Sequence, residues 1–191
     1  MANSYIINAI IFLFGTLVTF YTYLLVCRFL LQLLKVNFFN PISQSIVRIT
    51  DPPLRIIRLA IPGTKRYDFS ALVLVFILQL LYIALIPLFL QQNINFLGIF
   101  FIAFANTLNK ILNFLTFTIL AYVIMSWLSH GRYNPLLDII DSISSPVLAK
   151  TRKILPPMAG LDFSPMLTII LLQLFVMLVI IPLRDFGRFS L

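Results

Sequence analysis

Charge is scarce in this chain. Only 10% of its 191 residues are Asp, Glu, Lys or Arg, against about 25% in an ordinary soluble domain. A conventional water-facing surface is therefore excluded. Cys27 is the single cysteine, which excludes an intrachain disulfide and a cysteine-based metal cluster. The residues before it, Leu24-Leu25-Val26, lack the small side chains of a lipoprotein cleavage site. His130 is the only histidine. No serine, cysteine or paired carboxylate is arranged around it, and no methionine is spaced from it as a haem ligand would be. The sequence offers no catalytic constellation, no metal site and no cofactor site. None of the acidic residues lies inside an apolar run, which argues against a proton-coupled pump.

Apolar residues make up 61% of the chain, against about 45–50% in a soluble domain. Runs long enough to cross a bilayer, about 20 residues, occur at Tyr5 to Leu34 (interrupted only by Arg28), Phe69 to Leu90, Ile111 to Leu128 and Pro165 to Leu183. The first run is too long for a cleaved signal peptide and has no basic residue before it, so it reads as a retained span. The expected fold class is an all-α membrane protein with four transmembrane helices.

Shifted by 94 positions, the chain overlays itself. Asn40-Pro41 falls on Asn134-Pro135, Pro52 on Pro146, Leu54 on Leu148, Arg58 on Arg152, and Pro62 on Pro156. Asp68-Phe69-Ser70 falls on Asp162-Phe163-Ser164, and Leu78-Gln79-Leu80 on Leu172-Gln173-Leu174. Ile86-Pro87-Leu88 meets Ile181-Pro182-Leu183 only after a one-residue slip. The reading is two tandem helix-connection-helix repeats, residues 1–95 and 96–191.

The connections carry the charge. Lys35, Arg48, Arg55, Arg58, Lys65 and Arg66 lie in the first, and Arg132, Lys150, Arg152 and Lys153 in the second, while the link Gln91 to Asn95 has none. The positive-inside rule puts both connections in the cytoplasm and both termini opposite, although Arg184 and Arg188 oppose it. With two spans each, the repeats share one orientation. Net charge is +8, but these groups flank membrane spans. Anionic phospholipid is the expected partner, and nucleic acid is not.

Each connection reads as two short amphipathic helices hinged at proline. Asn40-Pro41 and Asn134-Pro135 would start the first, Asp51-Pro52 and Ser145-Pro146 the second. They would lie on the leaflet with Arg48, Arg55, Arg58, Lys150, Arg152 and Lys153 at the lipid or a partner. A re-entrant hairpin is the alternative. The Asp-Phe-Ser tripeptides mark where the chain turns back into the membrane. Ser70 and Ser164 would cap, Pro165 would take the first turn, and Asp68 and Asp162 would face the helix dipole; pairing of these aspartates with Arg58 and Arg152 is a compatible addition. Ile94 to Ala105 is expected to lie at the outer interface or to tilt strongly, with Lys110 snorkelling at the start of the span. Arg28, Gln32, Gln79, Gln173, Asn106, Asn109 and Asn113 are polar groups within or beside spans. Gln79 and Gln173 suit interhelical hydrogen bonds better than a water path.

"VNFFNPISQSIVRITDPPLRIIRLAIP" and "GRYNPLLDIIDSISSPVLAKTRKILPPMAGLDFSPM" resemble the two repeats of the YggT (YlmG) family, in its gammaproteobacterial inner-membrane form. Four residues depart from the family pattern: Leu33 replaces tryptophan, Tyr122 replaces arginine, Ser145 replaces an acid and Ala149 replaces arginine. The resemblance implies a multi-pass inner-membrane protein and links to osmotic or ion tolerance, to placement of division and nucleoid components, and in plastids to cytochrome maturation. It carries over no catalytic residue. Three functions follow in descending order: a non-enzymatic scaffold or assembly factor, a component of ion or osmolyte transport, and an enzyme using His130. The scaffold would meet other inner-membrane proteins or further copies of itself, and transport through so few spans would need a homo-oligomer.

Overall fold

The computed structural model describes residues 2–34, 36, 39–61, 68–90, 95–128, 134–157 and 162–189. They are helical, without β-strand among the described residues. In chain order the helices are α1 (Ala2–Leu33), α2 (Pro41–Ala60), α3 (Phe69–Leu90), α4 (Phe96–Leu128), α5 (Pro135–Arg152), α6 (Ser164–Phe175) and α7 (Ile181–Phe189), with a π-helical turn, Val176–Ile180, joining α6 to α7. Tyr5–Leu33, Phe96–Trp127 and Ser164–Arg188 are long and apolar enough to cross a membrane, and Phe69–Leu85 is a shorter apolar helix. Lys35, Lys65, Arg66, His130 and Arg132 lie outside the described residues.

α1 and α3 form an antiparallel hairpin. Gln79 Nε2 donates to Thr22 Oγ1 at 3.3 Å in its buried centre, and Tyr82 meets Phe14 farther along with ring centres 6.5 Å apart. α4 runs parallel to α1, since Lys110 meets Thr19 and Phe114 meets Tyr23. The main core joins the inner half of α1 (Leu25, Val26, Leu30, Leu31) to Leu54 of α2 and to Ala71, Leu74 and Val75 of α3, and takes in Ile139 and Ile143 of α5. A smaller one joins Ile83 of α3 to Ile99 and Ala103 of α4.

The connections differ from their sequence reading. Each is one helix, with Pro52 and Pro53 inside α2 and Pro146 inside α5, so the described residues are not split into two short helices at proline. An interior proline removes the bond to the carbonyl four residues back. At Pro53 that carbonyl is Ile49 O, and Tyr21 of α1 donates to it at 3.4 Å. Arg28 holds the turn before the prolines through Val47 O at 2.9 Å and Thr50 Oγ1 at 2.8 Å. Burial of Ser43, Ile46, Thr50 and Leu54 along one face then holds α2 against the hairpin. The starts are as expected: Asn40 and Asn134 each accept from the amide two residues on, at 2.9 Å, with proline at the first turn.

The third apolar helix begins at Phe96, not Ile111. Its first half does not lie alone at an interface. Phe100 packs edge-on against Phe76 of α3 with ring centres 5.4 Å apart, and Phe101 against Phe186 of α7 at 5.0 Å. Lys110, near the helix middle, turns to α1 rather than to the helix start. Its Nζ is 3.3 Å from Thr19 Oγ1 and 5.1 Å from the Tyr23 ring centre. The π turn accounts for the slip in the repeat, because a π turn holds one extra residue without breaking the helix.

Two glycines set close approaches. A Cβ on Gly187 would lie 2.9 Å from Gly98 O and 3.1 Å from Ile102 N, both backbone atoms of α4. A Cβ on Gly15 would meet only the tip of Tyr82, at 2.7 Å from its hydroxyl oxygen. Gly187→Val should therefore destabilise the detergent-solubilised protein by about 1–3 kcal/mol, whereas Gly15→Ala should be milder, because a ring can swing and a backbone cannot. Thermal unfolding of both variants checks this; equal losses would sink the distinction.

Candidate functional site

The charged residues that the sequence scatters over ninety positions gather where α1, α2 and α3 meet. Arg28 on α1 is almost fully buried. Its Nη2 donates to Asp51 Oδ1 at 2.9 Å and its Nε lies 3.7 Å from Asp68 Oδ2. Arg58, two turns along α2, bridges the same two carboxylates, at 3.1 Å to Asp51 Oδ1 and 2.6 Å to Asp68 Oδ2. Arg55 adds a 3.0 Å bond to Asp51 Oδ2 from the exposed side. Ser70 donates to the other oxygen of Asp68. Burying ions without partners costs several kcal/mol each; here each buried charge has more than one partner. Burial raises the Asp51 carboxyl, but hydrogen bonds from Arg55 and Arg28 and the nearby charges of Arg28 and Arg58 outweigh it and hold the group below 3.8.

The second half builds a reduced copy. Arg152 Nη2 lies 2.8 Å from Asp162 Oδ2 and 3.4 Å from the Tyr122 hydroxyl. Asp162 Oδ1 accepts from Ser164 N at 2.9 Å. Burial raises Asp162 too, and the hydrogen bonds from the Ser164 amide and from Arg152, with the Arg152 charge, outweigh it. Tyr122 stands at the position of Arg28, and Ser145 at that of Asp51. Two of the four departures from the family pattern thus stand at the two ends of the Arg28–Asp51 ion pair, and neither is charged. Ser145 Oγ instead donates to Asp141 Oδ1 at 2.7 Å.

The helix-start motif is present with its roles exchanged. The Ser164 side chain makes no cap, its hydroxyl is buried without a partner among the described residues, and Asp162 takes the first free amide. Pro165 sits in the first turn as expected. Ser70 serves Asp68 rather than the backbone. An ionised carboxylate is a stronger acceptor than a hydroxyl, and each aspartate is already fixed by an arginine.

The six basic residues expected to face lipid or a partner divide. Arg58 and Arg152 are turned inward to carboxylates. Arg48, Arg55, Lys150 and Lys153 are exposed. Arg48 and Arg55 rim a groove of about 350 Å³ with Gln44, Val47, Asp51 and Pro52. α2 and α5 lie side by side, tied by Asn40 Nδ2 donating to Pro135 O at 2.7 Å. Of the two equivalent glutamines in apolar helices, Gln79 makes its interhelical bond to Thr22. The equivalent of Thr22 is Thr116, whose hydroxyl is buried without a partner among the described residues, so Gln173 does not repeat that bond. Asp51 as hub and Lys110 as a partner of α1 are what the sequence reading missed. The signal for the first was there: Asp51, Arg55 and Arg58 share one helical face.

The architecture defines a class: tandem-repeat, all-helical chains whose apolar helices suit a bilayer and whose connections are pinned by arginine-carboxylate clusters. The CCB3/YggT family model matches twice, over residues 7–89 and 101–183, and the matches start 94 residues apart. The chain belongs to the CCB3/YggT family. Among its relatives, the uncharacterized YggT of Escherichia coli is 35% identical over 185 residues, 96% of each chain. An uncharacterized Pseudomonas aeruginosa protein is 35% identical over 175 residues, covering 91% of this chain and 89% of the relative. An uncharacterized Vibrio alginolyticus protein from the proC 3' region is 30% identical over 168 residues, covering 87% and 90%. No solved structure matches.

Two predictions follow from the clusters. Arg28→Tyr or Asp51→Ser alone should destabilise by about 1.5–3 kcal/mol, since each removes a charge-assisted bond from a network whose other members keep partners. The double variant copies the second half and should lose less than the sum, with a coupling of about 1–3 kcal/mol; additive losses in a double-mutant cycle would contradict this. Because Asp51 and Asp162 are held below their ordinary pKa, their contribution is complete above the ordinary value and lost as pH falls through the depressed one. The unfolding midpoint should be flat from about pH 7 to 5 and fall below about pH 4, less steeply in Asp51→Asn.

Proposed function

We propose that this chain is a non-enzymatic, four-span protein of the bacterial inner membrane whose paired connection helices form a cytoplasmic docking face. That face binds anionic phospholipid and, through it, organises partner proteins of the same membrane. The observation that carries this reading is the division among the basic residues. The ion clusters hold α2 and α5 rigidly with Arg58 and Arg152, and leave Arg48, Arg55, Lys150 and Lys153 outside on adjacent helices. Clustered lysine and arginine beside a span are attracted to an anionic leaflet by about 1 kcal/mol each. The exposed apolar side chains Ile56 and Leu59 of α2 suit an interfacial helix.

A second reading, a part in ion or osmolyte movement, is supported by the seam between α1 and α4. Among the described residues Lys110 there touches Thr19 and Tyr23 and no carboxylate, and Asn109 Oδ1 is buried without a partner; a cavity of about 530 Å³ opens beside Tyr23, Asn113 and Thr116. A charge inside a bilayer is a functional signal by default.

Charge reversal at Arg48, Lys150 and Lys153, sparing the structural Arg58 and Arg152, should leave unfolding unchanged. It should reduce copurifying anionic lipid and the set of proteins crosslinked in intact membranes by tenfold or more. An unchanged lipid and partner profile would refute the docking face. Ion flux in proteoliposomes holding this protein alone, abolished by Lys110→Ala, would favour the second reading.

A further inference from the structure

The halves are built alike but do not use their surfaces alike. Between them, Phe76, Leu80 and Ile83 of α3 pack against Ile99, Phe100, Ala103 and Phe104 of α4. Ile143 of α5 joins the core of the first half. The 94-residue shift carries the α3 patch onto Ile170, Leu174 and Met177, the α4 patch onto Tyr5, Ile6, Ala9 and Ile10, and Ile143 onto Ile49. At Ile83, Ile99 and Ile143 the copy used inside the chain is buried and its equivalent is open, whereas Phe100 and Phe104 keep an exposed side like their equivalents Ile6 and Ile10. Ile83 is 8% exposed and Met177 59%, Ile99 2% and Tyr5 74%, Ile143 1% and Ile49 54%. The residue added by the π turn does not alter this, since Leu178 is also exposed.

A two-fold axis between the halves would use each patch twice within one chain. That is not the arrangement: among the described residues α1 packs on neither α6 nor α7. The halves meet head to tail. A head-to-tail contact leaves one unused patch at each end, and these two are complementary in the same sense as the pair already joined. α1 and α4 run parallel, so the operation relating the halves keeps their direction, and repeating it would keep every copy the same way up. Apolarity alone would suit lipid as well as protein. The in-chain contact, with small Ala103 where Ala9 is small, decides for protein. A polar match accompanies it. Asn40 Nδ2 donates to Pro135 O inside the chain, while the equivalent amide of Asn134 donates to nothing among the described residues, and Pro41 O is the equivalent acceptor.

We propose that a second copy of this chain covers these faces: α6 of one copy, through Ile170, Leu174 and Met177, seats on the first half of α1 of the next, around Ile6, Ala9 and Ile10, and Ile49 is covered in the same contact. This stands apart from the docking-face reading, because it needs neither anionic lipid nor the exposed basic residues.

The pair Phe76–Phe100 predicts which positions meet, Ile170 and Ile6. Two differently tagged full-length chains, one Ile170→Cys and one Ile6→Cys, both with Cys27→Ala, are coexpressed and oxidised in native membranes. A disulfide between the two tags is expected, with Ile6→Cys alone, Ile170→Cys alone and the pair of Ile6→Cys with Phe117→Cys at least tenfold weaker. Unsubstituted protein in nanodiscs should show masses above one copy. Ala9→Trp, at an exposed position that folding does not need, should shift it to single copies with its unfolding midpoint unchanged. A dominant Ile6–Ile6 disulfide, or single copies of the unsubstituted protein throughout, would overturn the proposal.

Discussion

A guanidinium group buried at the inner end of an apolar helix has to be neutralised and its hydrogens used. Arg28 meets that requirement by drawing in Asp51 and Thr50 from α2 and Asp68 from the start of α3. One side chain thereby fixes three elements. The connection helix is held where its prolines would otherwise weaken it. α3 is held at the point where it begins, and the hairpin of α1 and α3 closes over the core beneath. Arg58 completes the network from the far side. The bond common to both halves, Arg58–Asp68 in the first and Arg152–Asp162 in the second, ties the end of a connection helix to the start of the helix after it.

Much of this was legible in the sequence. The repeat, the apolar runs, the asparagine-proline starts and the pairing of Asp68 with Arg58 and of Asp162 with Arg152 all follow from local spacing. What was not legible depends on neighbours far along the chain. Pro52 looks like a helix start because proline is at home there. That it sits mid-helix depends on Tyr21 and Arg28, which lie on another helix. Asp51 looks like a cap for the same reason, yet its partners are three arginines. Ser164 has the chemistry of a cap, but a carboxylate two residues away outcompetes it. Phe96 to Ala105 looks too long a prelude to a span, because single-segment length cannot show that Phe76, Ile83 and Phe186 are there to cover it.

The departures from the family pattern make sense only in three dimensions. Tyr122 and Ser145 are far apart in sequence and look like separate erosions of a motif. Their equivalents, Arg28 and Asp51, are in contact at 2.9 Å. Losing either charge alone would remove one of several partners from the other; losing both removes the pair together. The halves thus differ by one ion pair. The same divergence leaves the first half with the deeper ionic anchor and the second with a hydroxyl set, Thr151 and Thr168 at 2.7 Å among them.

The π turn at Val176–Ile180 has a geometric consequence beyond absorbing a slip. One added residue in a regular helix turns everything after it by about 100°, which would swing α7 off its seat. Taken up as a widened turn, the same addition leaves the phase beyond it nearly unchanged. Phe186 still meets Phe101, and Gly187 still lies against Gly98. A defect in helical pitch here works as a phase corrector, letting a duplicated segment change length while its tail keeps its bearing.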